Sequence, residues 1–147
     1  NIQFKGEIIM ITLLTGTKGS GKTKKLIALI DEALKSSDGN VICVEKTDDL
    51  RHSVNYRARL ISADHYDVSG YEAFYGLLAG ICASNHDITD IFVDATLRIG
   101  SRDYDELGEF LKKVNALAKD SEVKFTFTVS TESENIPASV LDFCELK

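Results

Sequence analysis

Apolar residues recur along this chain in two rhythms that alternate from segment to segment. Ile8-Ile9-Met10-Ile11-Thr12-Leu13-Leu14-Thr15 is a short, nearly continuous apolar run stopped by Gly16. That is the pattern of a strand buried on both faces of a parallel sheet. After a glycine-rich stretch, Leu26, Ile27, Ile30 and Leu34 recur at three- and four-residue steps, which predicts an amphipathic helix over 22–35. Ser36-Ser37-Asp38-Gly39-Asn40 ends it with turn formers. Val41-Ile42-Cys43-Val44 reads as a second buried strand closing at Glu45. The polar stretch 46–69 holds one weak alternation, Arg57-Ala58-Arg59-Leu60-Ile61, which suits a short strand. Phe74, Leu77, Leu78 and Ile81 share one face of a helix over 71–84.

Ile91-Phe92-Val93-Asp94 is the third buried strand. Tyr104, Leu107, Phe110, Leu111, Val114, Leu117 and Ala118 then form the cleanest helical stripe in the chain. Residues 123–129 alternate strictly and are rich in β-formers, a fourth strand. Pro137 opens a short last helix, and Phe143-Cys144-Glu145-Leu146 suits an edge strand. Strands alternating with helices predict an α/β three-layer sandwich around a mainly parallel sheet of about five strands. No internal repeat, Pro-rich linker or low-complexity tract interrupts the pattern, so 1–147 reads as a single domain. Residues 1–9, ahead of Met10, read as an extension or a trimmed native arm.

Composition narrows the class. With 147 residues, 44% hydrophobic and 27% charged, the chain has the make-up of a soluble globular domain that builds its own core. Cys43, Cys82 and Cys144 stand far apart among apolar neighbours and share no zinc or disulfide spacing. They are expected to be buried, inert thiols in a reducing cytoplasm. His52, His65 and His86 share no ligand spacing either. The net charge of −6 argues against broad attachment to nucleic acid or to anionic membrane. No apolar run reaches the roughly 18 residues of a bilayer span, and the first residues lack the marks of a signal peptide. The acidity is uneven: up to Glu72 ten Lys and Arg balance ten Asp and Glu, and beyond it seven face thirteen.

The candidate chemistry lies between the first strand and the first helix. Gly16-Thr17-Lys18-Gly19-Ser20-Gly21-Lys22-Thr23 fits G-x-x-x-x-G-K-[S/T] in the strand–loop–helix context that this pattern requires. Glycines let the backbone curl so that successive N–H groups aim at phosphate oxygens. The helix N-terminus adds its partial positive charge. Lys22 is a mobile cation for the β- and γ-phosphates, the Thr23 hydroxyl is a ligand for Mg²⁺, and Lys24 follows in the first turn. The apolar strand that ends in Asp94 supplies the matching carboxylate on the metal side.

On these motifs the sequence resembles the P-loop NTPase superfamily over nearly its whole length, with residues 91–94 as the Walker B segment. Two features look like the RecA-like branch. Glu45 closes the second strand, where such ATPases keep a glutamate that polarises the attacking water. Ser130-Thr131 closes the fourth, where they place a γ-phosphate sensor. The loop is also similar to that of type IV pilus retraction (twitching motility) and secretion ATPases. Those motors follow the Walker B aspartate with glutamate and carry further domains, whereas Ala95 stands here. The resemblance implies binding of ATP, or GTP, with Mg²⁺, and hydrolysis with Lys22 and Glu45 in the catalytic set.

Two other classes remain open. A non-catalytic nucleotide switch would use 46–69 as its moving segment. A small-molecule or nucleotide kinase would draw on Arg51, Arg57, Arg59, Arg98 and Arg102 to clamp anionic substrates. Tyr66, Tyr71 and Tyr75 are candidates to flank a base, although packing is the commoner role of such residues. A bare core of this kind is expected to work with a protein partner or a second copy that completes the site.

Overall fold

The computed structural model describes residues 8–147 in full and the backbone of Gln3, Phe4 and Glu7. Strands β1 (Gln3–Phe4) and β2 (Glu7–Ile8) pair antiparallel in a ladder of their own. The main sheet consists of β3 (Ile11–Thr15), β4 (Asn40–Glu45), β5 (Arg59–Ser62), β6 (Ile88–Val93), β7 (Lys124–Val129) and β8 (Cys144–Leu146). All its pairings are parallel, in the order β5-β4-β6-β7-β3-β8. The apolar run 8–15 is thus split, with Ile8 45% exposed in the outer ladder and only its second half in the sheet. The sheet has six strands rather than about five, because both weak segments, β5 and β8, pair as edges.

The helices are α1 (Lys22–Ser36), α2 (Tyr71–Ser84), the one-turn α3 (Thr96–Ile99) and α4 (Tyr104–Ser121). The segment after Pro137 makes only a 3-10 turn, Ala138–Val140, too short for the expected final helix. Right-handed crossovers dictate which face each helix covers. From β3 to β4 the chain moves one way across the sheet, and α1 covers one face through Leu26 and Ile30 against Leu14, Val41, Cys43 and Phe92. It runs on to β5 at the edge, and from β5 through β6 to β7 it moves the other way, so α2 and α4 cover the opposite face. There Phe74 and Phe110 stack at 4.6 Å and Phe127 meets Phe110 edge-on at 5.9 Å. Burying Val, Leu, Ile and Phe in this way contributes roughly 1.5–3 kcal/mol per side chain.

Helix α4 is built by the rules that stabilise a helix start. Asp103 caps it, accepting from the amides of Asp105 and Glu106, and both of those acids lie in the positive first turn. Asp103→Ala is expected to cost about 1 kcal/mol, read as a lower urea midpoint at unchanged slope.

All three cysteines are free and buried, and burial pushes the Cys43 and Cys144 thiols up to about 12 and raises that of Cys82. Thiols held protonated in this way are poor nucleophiles. No helix among the described residues is long and apolar enough to cross a membrane.

Candidate functional site

In an open parallel sheet the carboxyl ends of the strands, where the chain reverses its direction across the sheet, form a natural crevice. Here β3 leads off one way and β6 and β7 the other, and the crevice opens on the face that α1 covers. Alternation selects what reaches it. On β6, Ile91 and Val93 face α2 and α4, while Phe92 packs toward α1, so Asp94 follows on the α1 side. On β7, Phe125, Phe127 and Val129 take the first face, which leaves Thr128 and Ser130 for the second.

The result is a cleft of about 700 Å³ lined by Lys18, Gly19, Gly21, Lys22, Thr23 and Lys24 on one side. Asp94, Ala95, Leu97, Arg98, Arg102, Thr128 and Ser130 line the other. Gly16, Thr17 and Ser20 build the turn itself: Ser20 N donates to Thr17 O at 3.2 Å, and Gly16 N is tied to Thr131 O at 2.9 Å. At Gly16 (φ +142°) a Cβ would fall 2.5 Å from Ser20 Oγ, and Gly21 caps α1 in the left-handed region at φ +91°. Both positions need glycine for physical reasons.

The start of α1 breaks the rules that α4 follows. It has no side-chain cap and no acidic residue in its first turn, and it opens with Lys22, Lys24 and Lys25. Cations at a helix N-terminus oppose the macrodipole, and the first amides have no partner within the helix. An anion in the cleft would satisfy both. Lys22 is only 8% exposed, and its ammonium donates to Thr17 O at 2.8 Å and Ser20 Oγ at 3.3 Å. Burial lowers its pKa, and the nearby Asp94 carboxylate works against that shift.

Asp94 is held from both flanks. Thr128 Oγ1 donates to its Oδ1 at 2.7 Å and itself accepts from Ala95 N at 2.9 Å. Thr23 Oγ1 stands 3.4 Å from the same oxygen. Thr23 and Asp94 thus offer two hard oxygen donors to a divalent cation. Mg²⁺, which keeps several water or phosphate oxygens in its shell, suits so sparse a protein contribution. Ala95 adopts φ +64°. That conformation is costly for a residue with a side chain and is tolerated where the surroundings impose it.

Glu45 follows Val44, which pairs with Val93, so it ends β4 next to Asp94, but its side chain stays outside the cleft lining. It is 3% exposed, and its carboxylate accepts from Leu50 N at 3.2 Å and Thr47 Oγ1 at 3.4 Å. Burial raises its pKa, the bonds from Leu50 and Thr47 counter that, and Asp49 and Asp94 add to the rise. Ser130 lines the cleft, whereas Thr131, one residue on, turns to the other side and bonds Tyr104 Oη at 2.8 Å and Asn135 Nδ2 at 2.9 Å.

Thr128 was not among the residues expected from the sequence, although a threonine alternating with Phe127 and Val129 on a strand that ends beside Ser130 carried the signal. The five candidate arginines separate only in the structure. Arg98 and Arg102 reach the cleft, and Arg102 Nη1 lies 3.4 Å from Ser130 O. Arg51 instead pairs with Asp48, Arg57 donates to Leu34 O, and Arg59 is exposed on β5. Tyr66 is 58% exposed, and Tyr71 and Tyr75 line a different cleft. No protein-family model matches the chain, and no curated protein matches it.

Proposed function

We propose that this protein is a P-loop NTPase of the RecA-like type that binds ATP with Mg²⁺ in the cleft beside loop 16–23 and hydrolyses it. One observation carries the reading: an uncapped, lysine-headed helix opens into a cleft where Lys18, Lys22, Lys24, Arg98 and Arg102 surround the single carboxylate of Asp94. In a chain of net charge −6, such a concentration of cations is matched to a polyphosphate.

In this reading the loop amides and Lys22 hold the β- and γ-phosphates, the ammonium exchanging Thr17 O and Ser20 Oγ for phosphate oxygens. Thr23 and Asp94 would hold Mg²⁺, which when bound neutralises charge on the phosphate oxygens. Thr128 keeps the Asp94 carboxylate aimed, and Ser130 offers a hydroxyl toward the terminal phosphate. The deciding experiment is thermal unfolding against a panel of nucleoside tri-, di- and monophosphates, with and without Mg²⁺. A Mg²⁺-dependent rise with triphosphates is expected, and no rise with any nucleotide would end the reading.

A second reading, a switch that binds without turnover, is favoured by the burial of Glu45 away from the cleft lining. Single-turnover hydrolysis at high protein concentration separates the two.

Arg98 and Arg102 have no carboxylate partner among the described residues. Arg102 gives one long hydrogen bond, to Ser130 O at 3.4 Å, so both side chains keep donors for the terminal phosphoryl group. Removing both as Ala is expected to narrow the preference for tri- over diphosphate by about tenfold, the worth of a charge-assisted hydrogen bond. Calorimetric titration of the two nucleotides checks it; an unchanged ratio would leave the arginines out of the site.

A further inference from the structure

A second cleft of about 710 Å³, edged by Gly100 and Ser101, opens between the first halves of α2 and α4. Its floor is aromatic: Tyr71 and Phe110 lie 5.0 Å apart between ring centres, with Tyr75 beside them. Its rim is acidic, with Glu72 on α2 and Asp105, Glu106 and Glu109 on α4, all exposed; Glu109 holds Lys112 at 3.2 Å in an exposed pair that an incoming cation can replace. One basic side chain lines it, and that cation already rests on the floor: Lys113 Nζ is 4.3 Å from the centre of the Tyr75 ring. The ring face therefore accepts an ammonium, as the negative face of an aromatic quadrupole should.

From this we propose that the cleft docks an extended, basic segment of another protein, its Lys or Arg side chains laid over the aromatic floor. Charge complementarity names the occupant. An apolar floor closed by carboxylates repels acidic chains and leaves neutral ones without partners for the rim. The carboxylates are also spread rather than convergent, and among the described residues no three acidic, His or Cys side chains gather as a metal site would require. Asp105 and Glu109, one helical turn apart, are separated by about 6 Å along α4. Side chains at alternate positions of an extended peptide lie about 6.6 Å apart and share one face. Two basic residues at such spacing can pair with the two carboxylates in succession, a match that a compact cation cannot make. The site is independent of the ATP reading, and it uses the half of the chain in which acids outnumber bases.

The test is fluorescence anisotropy of the full chain with a labelled (Lys-Thr)₄ peptide. A (Glu-Thr)₄ peptide serves as control and unlabelled spermidine as competitor. Binding that weakens with salt is expected, with affinity falling about tenfold in the Glu72→Gln/Glu109→Gln variant and falling also in Tyr75→Leu. Thermal unfolding of each variant checks that the fold is intact, above all for the half-buried Tyr75, and Asp105→Asn repeats the test at a third, exposed position. Lys22→Ala should bind the peptide as the wild type does, which separates this site from the one beside the loop. Equal affinity in the carboxylate variants, or equal binding of the Glu-Thr peptide, would overturn the proposal. Competition by spermidine at the same concentration as unlabelled peptide would assign the cleft to small cations and overturn it as well.

Discussion

Lys22→Ala is expected to lose the thermal stabilisation that Mg·ATP gives the wild-type chain while keeping its fold. A ligand held at a hundred times its Kd adds about 2.7 kcal/mol, which for a domain of this size raises Tm by about 5–10 °C. Lys22 is the one loop cation whose ammonium is folded under the loop, on Thr17 O and Ser20 Oγ, instead of standing in solvent. Lys18 and Lys24 are exposed and cannot replace it. Without ligand the variant should stay within about 1 kcal/mol of the wild type. It gives up two hydrogen bonds, but alanine is the better helix former and no longer sets a charge against the α1 dipole. Scanning fluorimetry with and without Mg·ATP reads both quantities. Equal shifts in the two proteins would show that Lys22 does not hold the ligand.

The second large effect separates Glu45 from Asp94. If Glu45 positions the lytic water, Glu45→Gln keeps ATP binding and cuts single-turnover hydrolysis by about 10²- to 10⁴-fold. Asp94→Asn weakens Mg²⁺-dependent binding and hydrolysis together, because it acts on the metal side. Equal rates for the wild type and Glu45→Gln would reduce Glu45 to the anchor of the turn at Leu50, a role that glutamine can also fill. Stability gives an independent reading. The pKa of Glu45 is raised in the folded chain by burial, so folding favours its protonated form. Its contribution to stability is then fully present below the unfolded carboxylate pKa and is lost as pH rises through the higher folded value. Glutamine stays neutral, so Glu45→Gln should gain on the wild type as pH rises through that window. Urea midpoints across the acidic range measure the difference.

How much of this was legible in the sequence differs from residue to residue. The parallel sheet and the stripes of α1, α2 and α4 follow from period alone, because helices that cover a sheet must keep one apolar face. The meeting of loop 16–23 with Asp94 and Ser130 in one cleft follows from all of them lying just beyond strand ends in a parallel sheet. The limits of β3 were not legible, since an apolar run carries no mark for where the chain leaves one ladder and enters another. The direction of the Glu45 carboxylate was not legible for a related reason. Its position at the end of β4 is as expected, but the turn at 47–50 draws the carboxylate to the Leu50 amide and the Thr47 hydroxyl, and that competition is set by tertiary packing. Arg98 and Arg102 depend on α3, a single turn too short to leave a periodic signal.

The strand order also constrains how the molecule can be made. β3, which carries the loop, has no neighbour from the first half of the chain; it pairs with β7 and β8 alone. Gly16 N hangs on Thr131 O, Thr15 N on Lys147 O, and Thr15 Oγ1 meets Ser133 Oγ from 118 positions away. Contacts so distant in sequence slow folding, because the closure entropy must be met before the pairing repays it. During synthesis β4, β5 and β6 can assemble while β3 waits, an apolar strand with both edges open, until residues 124–147 have left the ribosome. The loop is therefore among the last parts of the molecule to take shape, and nascent chains that stall before β7 carry every residue of it without the strands that hold its root.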